Sequence, residues 1–227
     1  MSFVLDKSKI KAVVLDVDNT LAPDNSWLKI TRELGASEVA HEQIFAEYVA
    51  GKISYNKAKN ELLTIWRMTG NHNSSYMQKM FDCWELYPEA YTLVDYLKTR
   101  YQVCLISGSV DMWVSTVARK LNVSDWFANT RLIWDPSGWD PVGRGYSYLL
   151  DFDYSLKQAQ KKVKQKNVFL AGNLLLDDQC VVVGDGANDK MLFEECASIL
   201  VGANPHPDLV ALATAHVDEL SDVMNYL

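Results

Sequence analysis

The chain has 227 residues, 48% of them hydrophobic and 22% charged, which suits one large folded domain or one domain carrying a smaller insertion. A formal net charge of −7 speaks against a nucleic-acid partner, which needs a basic face. No apolar run approaches the roughly 18 residues of a membrane helix, and the opening MSFVLDKSKIKAVVLD lacks a signal peptide's apolar region and cleavage site, so a cytoplasmic location without a membrane partner is expected.

The first predicted element is a strand over Ala12–Val17, an apolar run that closes on Asp16 and Asp18. Burying one unpaired carboxylate is costly, and two like charges side by side add to that cost. Either solvent or a cation must therefore sit beside the pair. From Pro23 to Leu86 the pattern reads as helices only, over Trp27–Leu34, Ser37–Val49, Ser54–Met68 and Ser74–Leu86. This block predicts a small helical domain over residues 23–86, inserted into a core made of residues 1–22 and 87–227. Its aromatic residues are expected mainly as bundle core. Trp27, close in sequence to the aspartate pair, is the one expected to face a ligand.

After Pro88, strands and helices alternate: helix Tyr91–Tyr101, strand Gln102–Ile106, helix Val110–Leu121, strand Gln179–Val183, helix Lys190–Ala197 and strand Ser198–Val201. The strands are apolar without alternation, as in a parallel sheet buried on both faces. This order implies an α/β fold with a doubly wound, mostly parallel, Rossmann-like sheet. Ligands of such sheets bind at the carboxyl ends of the strands, where an inserted helical block would act as a cap. Trp134–Tyr148, rich in Gly, Pro and Asp, predicts turns or a β-hairpin. Most lysines of Lys157–Lys166 are expected on the solvated side of a helix. The four cysteines form no C-x-x-C pair, and Cys104 and Cys180 read as small core residues of a reduced protein. The four histidines share no metal-ligand spacing and read as ordinary surface or core residues.

Three strand ends carry chemistry. Asp16-Val17-Asp18-Asn19-Thr20 ends the first strand, Ser107-Gly108-Ser109 follows QVCLI, and Gly184-Asp185-Gly186-Ala187-Asn188-Asp189 follows QCVVV. Each alone reads equally as a turn or a helix cap. Their convergence at one sheet edge does not. Ser-Gly-Ser at a helix start would offer backbone N–H groups to an anion. A carboxylate attacking an anionic phosphoryl group meets repulsion, which a hard divalent cation with oxygen ligands offsets.

In their order and rough spacing these motifs resemble the haloacid dehalogenase-like superfamily, specifically its phosphoserine-phosphatase-like branch. The helical insertion and Ala128-Asn129-Thr130-Arg131-Leu132 look like the branch's cap and its "AN-RL" stretch. The resemblance implies a phosphatase in which Asp16 is the nucleophile, forming an aspartyl-phosphate, and Asp18 the general acid and then base. It implies a magnesium ion bound by the Asp16 and Asp185 carboxylates and the Asp18 backbone carbonyl, with Asp189 supporting the site directly or through water. Ser107 and the Gly108 N–H would hold phosphoryl oxygens, joined by Asn188, with Ser109 in the same loop and Thr20 holding the first loop by a local hydrogen bond. The family lysine precedes the GDG strand near a helix start. Candidates are Lys157, Lys161, Lys162 and Lys164; spacing favours Lys161 or Lys162, and the helix start favours Lys157, which is the expected phosphate lysine.

True phosphoserine phosphatases carry a Glu soon after the first motif and an Arg in a cap helix. Here Pro23–Trp27 has no Glu, and Asn60 falls about where the Arg stands, with Arg67 one to two turns away. A small phosphomonoester less polar or larger than phosphoserine is therefore expected as substrate. A phosphotransferase, or a phosphate-responsive regulatory protein without turnover, are the alternative readings.

Overall fold

A computed structural model of the chain describes residues 5–137 and 147–227. In chain order its main elements are β1 (Ala12–Leu15), α1 (Ser26–Leu34), α2 (Glu38–Val49), α3 (Tyr55–Arg67), α4 (Ser74–Cys83), α5 (Pro88–Lys98), β2 (Gln102–Val110), α6 (Asp111–Leu121), β3 (Asp125–Trp134), β4 (Leu149–Tyr154), α7 (Gln158–Gly172), β5 (Cys180–Gly184), α8 (Lys190–Phe193), β6 (Ala197–Val201), α9 (Pro207–Val210) and β7 (Ala215–Val217). The strands form one seven-stranded sheet in the order β4-β3-β2-β1-β5-β6-β7. The pairs from β3 through β7 are parallel.

β1 runs down the middle, and its four residues Ala12, Val13, Val14 and Leu15 are all buried. Successive side chains of a strand point to opposite faces. Ala12 and Val14 pack with Cys104, Val182, Val163, Phe169 and Phe193 in one apolar cluster. Val13, Leu15, Leu105 and Val181 are equally buried, and their alternate positions turn them to the other face. That two-sided burial explains why the strand sequences lack alternation.

Each of the four helices following β1 is started by a side chain that accepts a backbone N–H: Asn25, Ser37, Ser54 and Asn73. Gly35, at φ 86°, ends α1 in the left-handed conformation that favours glycine. Pro88 opens α5 at a position where its missing N–H costs nothing.

The chain divides into two compact units: one up to Asp24 with Glu85–Arg131 and Tyr154–Leu227, the other Asn25–Trp84 with Leu132–Asp153. The second unit thus takes in Leu132–Asp153, a segment the sequence reading left in the core. Within that unit Trp27 stacks on Trp66, with ring centroids 6.2 Å apart, and meets Phe152 edge-on at 5.4 Å. Lys59 pairs with Asp151 at 2.9 Å.

The short β7 and the longer β3 and β4 are strands that apolar patterning does not announce. The expected turns within Trp134–Tyr148 fall largely on residues 138–146, outside the described residues. No helix among the described residues is long and apolar enough to cross a membrane.

Candidate active site

β1 lies between β2 and β5, with Leu15 in register with Leu105 on one side and Val183 on the other. Asp16 follows Leu15 directly, so the residues just past Leu105 and Val183 flank it. In this way parallel register alone brings DVDNT, SGS and GDGAND to one edge. Gly108 makes the approach close. A Cβ there would lie 3.1 Å from Asn188 Nδ2 and 3.3 Å from Gln158 Oε1. At Gly184 a Cβ would run into the Asp189 carboxylate, whose Cγ would be 2.7 Å away. A side chain at Gly184 would force Asp189 to shift, whereas at Gly108 the ends of the Asn188 and Gln158 side chains would have to give way slightly.

At this edge the Asp16, Asp185 and Asp189 carboxylates offer oxygens that lie within 4.8 Å of one another. Asp16 and Asp189 are almost fully buried. Lys162, from α7 and fully buried, enters the group. Its Nζ lies 2.9 Å from Asp16 Oδ2 and 2.7 Å from Asp189 Oδ1, and donates to Asn188 Oδ1 at 3.2 Å. Burial works against the lysine's charge, but the Asp16 and Asp189 carboxylates outweigh it and raise its pKa. Three carboxylates facing one ammonium leave two negative charges in a buried place. Desolvation, with repulsion from Asp16, raises Asp185 to about 7 and Asp189 to about 8. The Thr20 hydroxyl donates to Asp185 Oδ1 at 3.1 Å and works the other way. This donor set, all oxygen and carrying an excess of two negative charges, fits a hard divalent cation such as magnesium.

Asp18 stands apart from the carboxylate group. Its Oδ1 accepts from the indole N–H of Trp113, in the first turn of α6, at 3.2 Å. The Val17 N–H donates to Asp16 Oδ1 at 2.7 Å, so neighbouring backbone holds one oxygen of Asp16 while Lys162 holds the other.

The structure corrects three expectations. Lys157 is the exposed N-cap residue of α7, and Lys162 is the lysine at the carboxylates. The helix turns its 162, 166 and 169 positions toward the sheet, whereas a cap residue lies outside the helical repeat. Lys161 donates to the Asn129 carbonyl at 2.5 Å, and Lys164 is exposed. The lysine-rich run is also less solvated than expected, since Lys166, like Lys162, is fully buried, pairing with Asp177 at 2.5 Å and Glu195 at 2.9 Å. Finally, Ser107, Gly108 and Ser109 do not start a helix. β2 continues through them to Val110, with an irregular register between Ser107 and Val110, and the Ser109 N–H donates to Ser107 Oγ at 3.2 Å.

Trp27 belongs to the helical unit, in the ring cluster with Trp66 and Phe152. Trp113 escaped the sequence reading. It sits beside the apolar stripe of its helix, and its one signal is a bulky donor-bearing ring one turn beyond SGS.

The family model of the haloacid dehalogenase-like hydrolases matches residues 10–197. The phosphoserine phosphatase of Methanocaldococcus jannaschii is 24% identical over 224 residues, covering 97% of this chain and 99% of that protein. A solved phosphoserine phosphatase, described as a phospho-aspartyl intermediate analogue, superposes with a TM-score of 0.70 at 23% identity, over 96% of this chain and 99% of the other. A haloacid dehalogenase family hydrolase from Salmonella enterica serovar Typhi gives a TM-score of 0.75 at 17% identity, over 94% and 69%.

Proposed function

The chain belongs to the haloacid dehalogenase-like hydrolase family, and from that premise we propose that it is a magnesium-dependent phosphatase acting on a small phosphomonoester through an aspartyl-phosphate on Asp16. The observation that carries the proposal is the buried group of Asp16, Asp185 and Asp189 around Lys162, at the carboxyl ends of β1 and β5.

In this reading an Asp16 oxygen attacks phosphorus and the bond to the ester oxygen breaks. Asp18 gives its proton to that departing oxygen. Water then attacks the phosphorus of the acyl phosphate, Asp18 takes the proton, and inorganic phosphate leaves with Asp16 regenerated. The Asp16 and Asp185 carboxylates and the Asp18 carbonyl would hold a magnesium ion, with Asp189 supporting it directly or through water, and the ion would supply positive charge against the repulsion between nucleophile and phosphoryl oxygens. Lys162 adds a fixed positive charge beside Asp16. Ser107, Gly108, Ser109 and Asn188 supply donors to the phosphoryl oxygens, and Thr20 holds the Asp185 side chain. The helical unit serves as the cap, with Trp27 as part of its binding surface. That the Methanocaldococcus jannaschii relative is a phosphoserine phosphatase puts phosphoserine on the panel. The missing Glu and Arg put less polar phosphomonoesters beside it.

The test is phosphate release from 4-nitrophenyl phosphate and a panel of phosphomonoesters, with magnesium or EDTA, by wild type and Asp16→Asn. We expect turnover that needs magnesium and falls to background in Asp16→Asn. Turnover by the variant at the wild-type rate, or none by wild type on any ester, rejects the proposal.

A further inference from the structure

We propose that Trp113 is a positioning residue for Asp18: its indole N–H fixes which carboxyl oxygen of Asp18 carries the transferred proton. This rests on the phosphatase reading above and deepens it. The Trp113 Nε1 lies 3.2 Å from Asp18 Oδ1, and the ring is almost fully buried in the first turn of α6. An indole N–H can donate and never accept. The oxygen it faces must therefore accept, and in a protonated carboxyl group the carbonyl oxygen is the better acceptor and the hydroxyl oxygen the weaker one. In the acid form of Asp18 the proton is directed to Oδ2.

From Oδ2 the proton passes to the ester oxygen as the phosphorus–oxygen bond breaks. The electron pair of that bond stays on the leaving oxygen, and Asp18 becomes a carboxylate. Charge thus develops on Asp18 during the step, and a hydrogen bond to a charged acceptor is roughly twice as strong as one to a neutral acceptor. The Trp113 donor gains strength as the transition state forms, and an interaction that grows in this way speeds the chemical step.

The Trp113 hydrogen bond is made to the Asp18 side chain, not to the backbone carbonyl proposed as a metal ligand. Asp16, Asp185 and Asp189 are held by Lys162, Thr20 and backbone, whereas Trp113 comes from the opposite flank of β1, from the helix that follows β2.

A series of substituted phenyl phosphates, from the acidic 4-nitrophenol to phenol itself, tests this through kcat/KM, which reports the step in which the leaving group departs. An acidic phenol departs without help, and a weakly acidic one needs the proton. Trp113→Phe keeps an aromatic ring and removes the donor. We expect it to lose about tenfold on phenyl phosphate, from a hydrogen bond to a charged group, and less than about twofold on 4-nitrophenyl phosphate. Partial unfolding lowers both rates by one factor and leaves their ratio unchanged, so the ratio reads the donor alone. Trp113→His, a smaller ring that retains an N–H, is the second variant and should keep the wild-type ratio. An equal loss across the series, no loss, or a His variant that behaves like Phe overturns the proposal. If wild type shows no magnesium-dependent turnover of any phosphate, the phosphatase reading fails and takes this one with it. Wild-type activity with an unchanged ratio in Trp113→Phe removes only the role of Trp113.

Discussion

Lys162 directs its three N–H groups at three oxygens, on Asp16, Asp189 and Asn188, so a fully buried ammonium is left without an unmet donor. The same geometry makes it, among the described residues, the one cation shown touching the proposed nucleophile and the GDGAND loop together. Lys162→Met keeps most of the side chain's length and removes the charge. Losing a fixed charge of this kind costs on the order of 10²–10³ in kcat, and Lys157→Ala should change kcat by less than about twofold, since an exposed cap side chain is a surface change. Steady-state kinetics on both variants decides it, and a loss in Lys157→Ala instead would restore the sequence reading. The lysine was half legible. Val163, Phe169 and Leu170 mark the apolar face of α7, and Lys162 and Lys166 share it. A reading anchored on those apolar positions finds Lys162, whereas one anchored on the helix start finds Lys157. Trp113 was barely legible: its place one turn beyond SGS is a weak signal, and nothing in a sequence says which indole N–H meets a carboxylate from another element.

At the scale of elements, α2 buries a single residue, His41. Its Nδ1 lies 2.7 Å from Thr31 Oγ1 of α1, which also accepts the Trp66 indole N–H of α3 at 2.8 Å. One imidazole thus helps tie three helices. Burial lowers the pKa of His41 to about 4 from an ordinary 6.5. The unfolded chain then binds a proton that the folded chain refuses, between about pH 6.5 and 4. Stability from this group is complete above about 6.5 and is lost as pH falls toward 4. At pH 5 the loss is about 2 kcal/mol. His41→Leu removes the titration and leaves Thr31 its bond to the Trp27 carbonyl at 3.2 Å. Thermal unfolding followed by tryptophan fluorescence should show a Tm that drops from pH 7 to pH 5 more in wild type than in the variant; equal drops would discard the assignment. Helix caps made this unit readable from sequence, since Asn25, Ser37, Ser54 and Asn73 each stand where their residue type predicts. The burial of His41 was not readable, because the apolar Val39, Phe45 and Val49 of the same helix are the exposed residues and mislead a periodicity reading.

Across the whole molecule, the site exists because three segments far apart in sequence end neighbouring parallel strands. The apolar runs of β1, β2, β5 and β6 announced their strands, and the motifs after β1, β2 and β5 announced the chemistry. β3 went unseen because its sequence DWFANTRLIW mixes polar and aromatic residues, and β7 because three residues make no pattern. What the sheet assembles is an excess of buried negative charge, and that excess has a measurable consequence. Without a cation, burial first and repulsion from Asp16 second make Asp185 and Asp189 hold their protons late. A divalent ion that binds only the folded state stabilises it by about 2.7 kcal/mol at a hundredfold excess over Kd, which for a protein of this size raises Tm by several degrees. Magnesium should therefore raise the Tm of wild type, and EDTA should reverse the rise. Asp185→Asn keeps a partner for the Thr20 hydroxyl but removes one repelling charge. In EDTA it should unfold at or above the wild-type temperature, and magnesium should then raise it little. A wild-type Tm indifferent to magnesium, or an Asp185→Asn protein that responds as fully as wild type, would show that these carboxylates are not gathered around a cation.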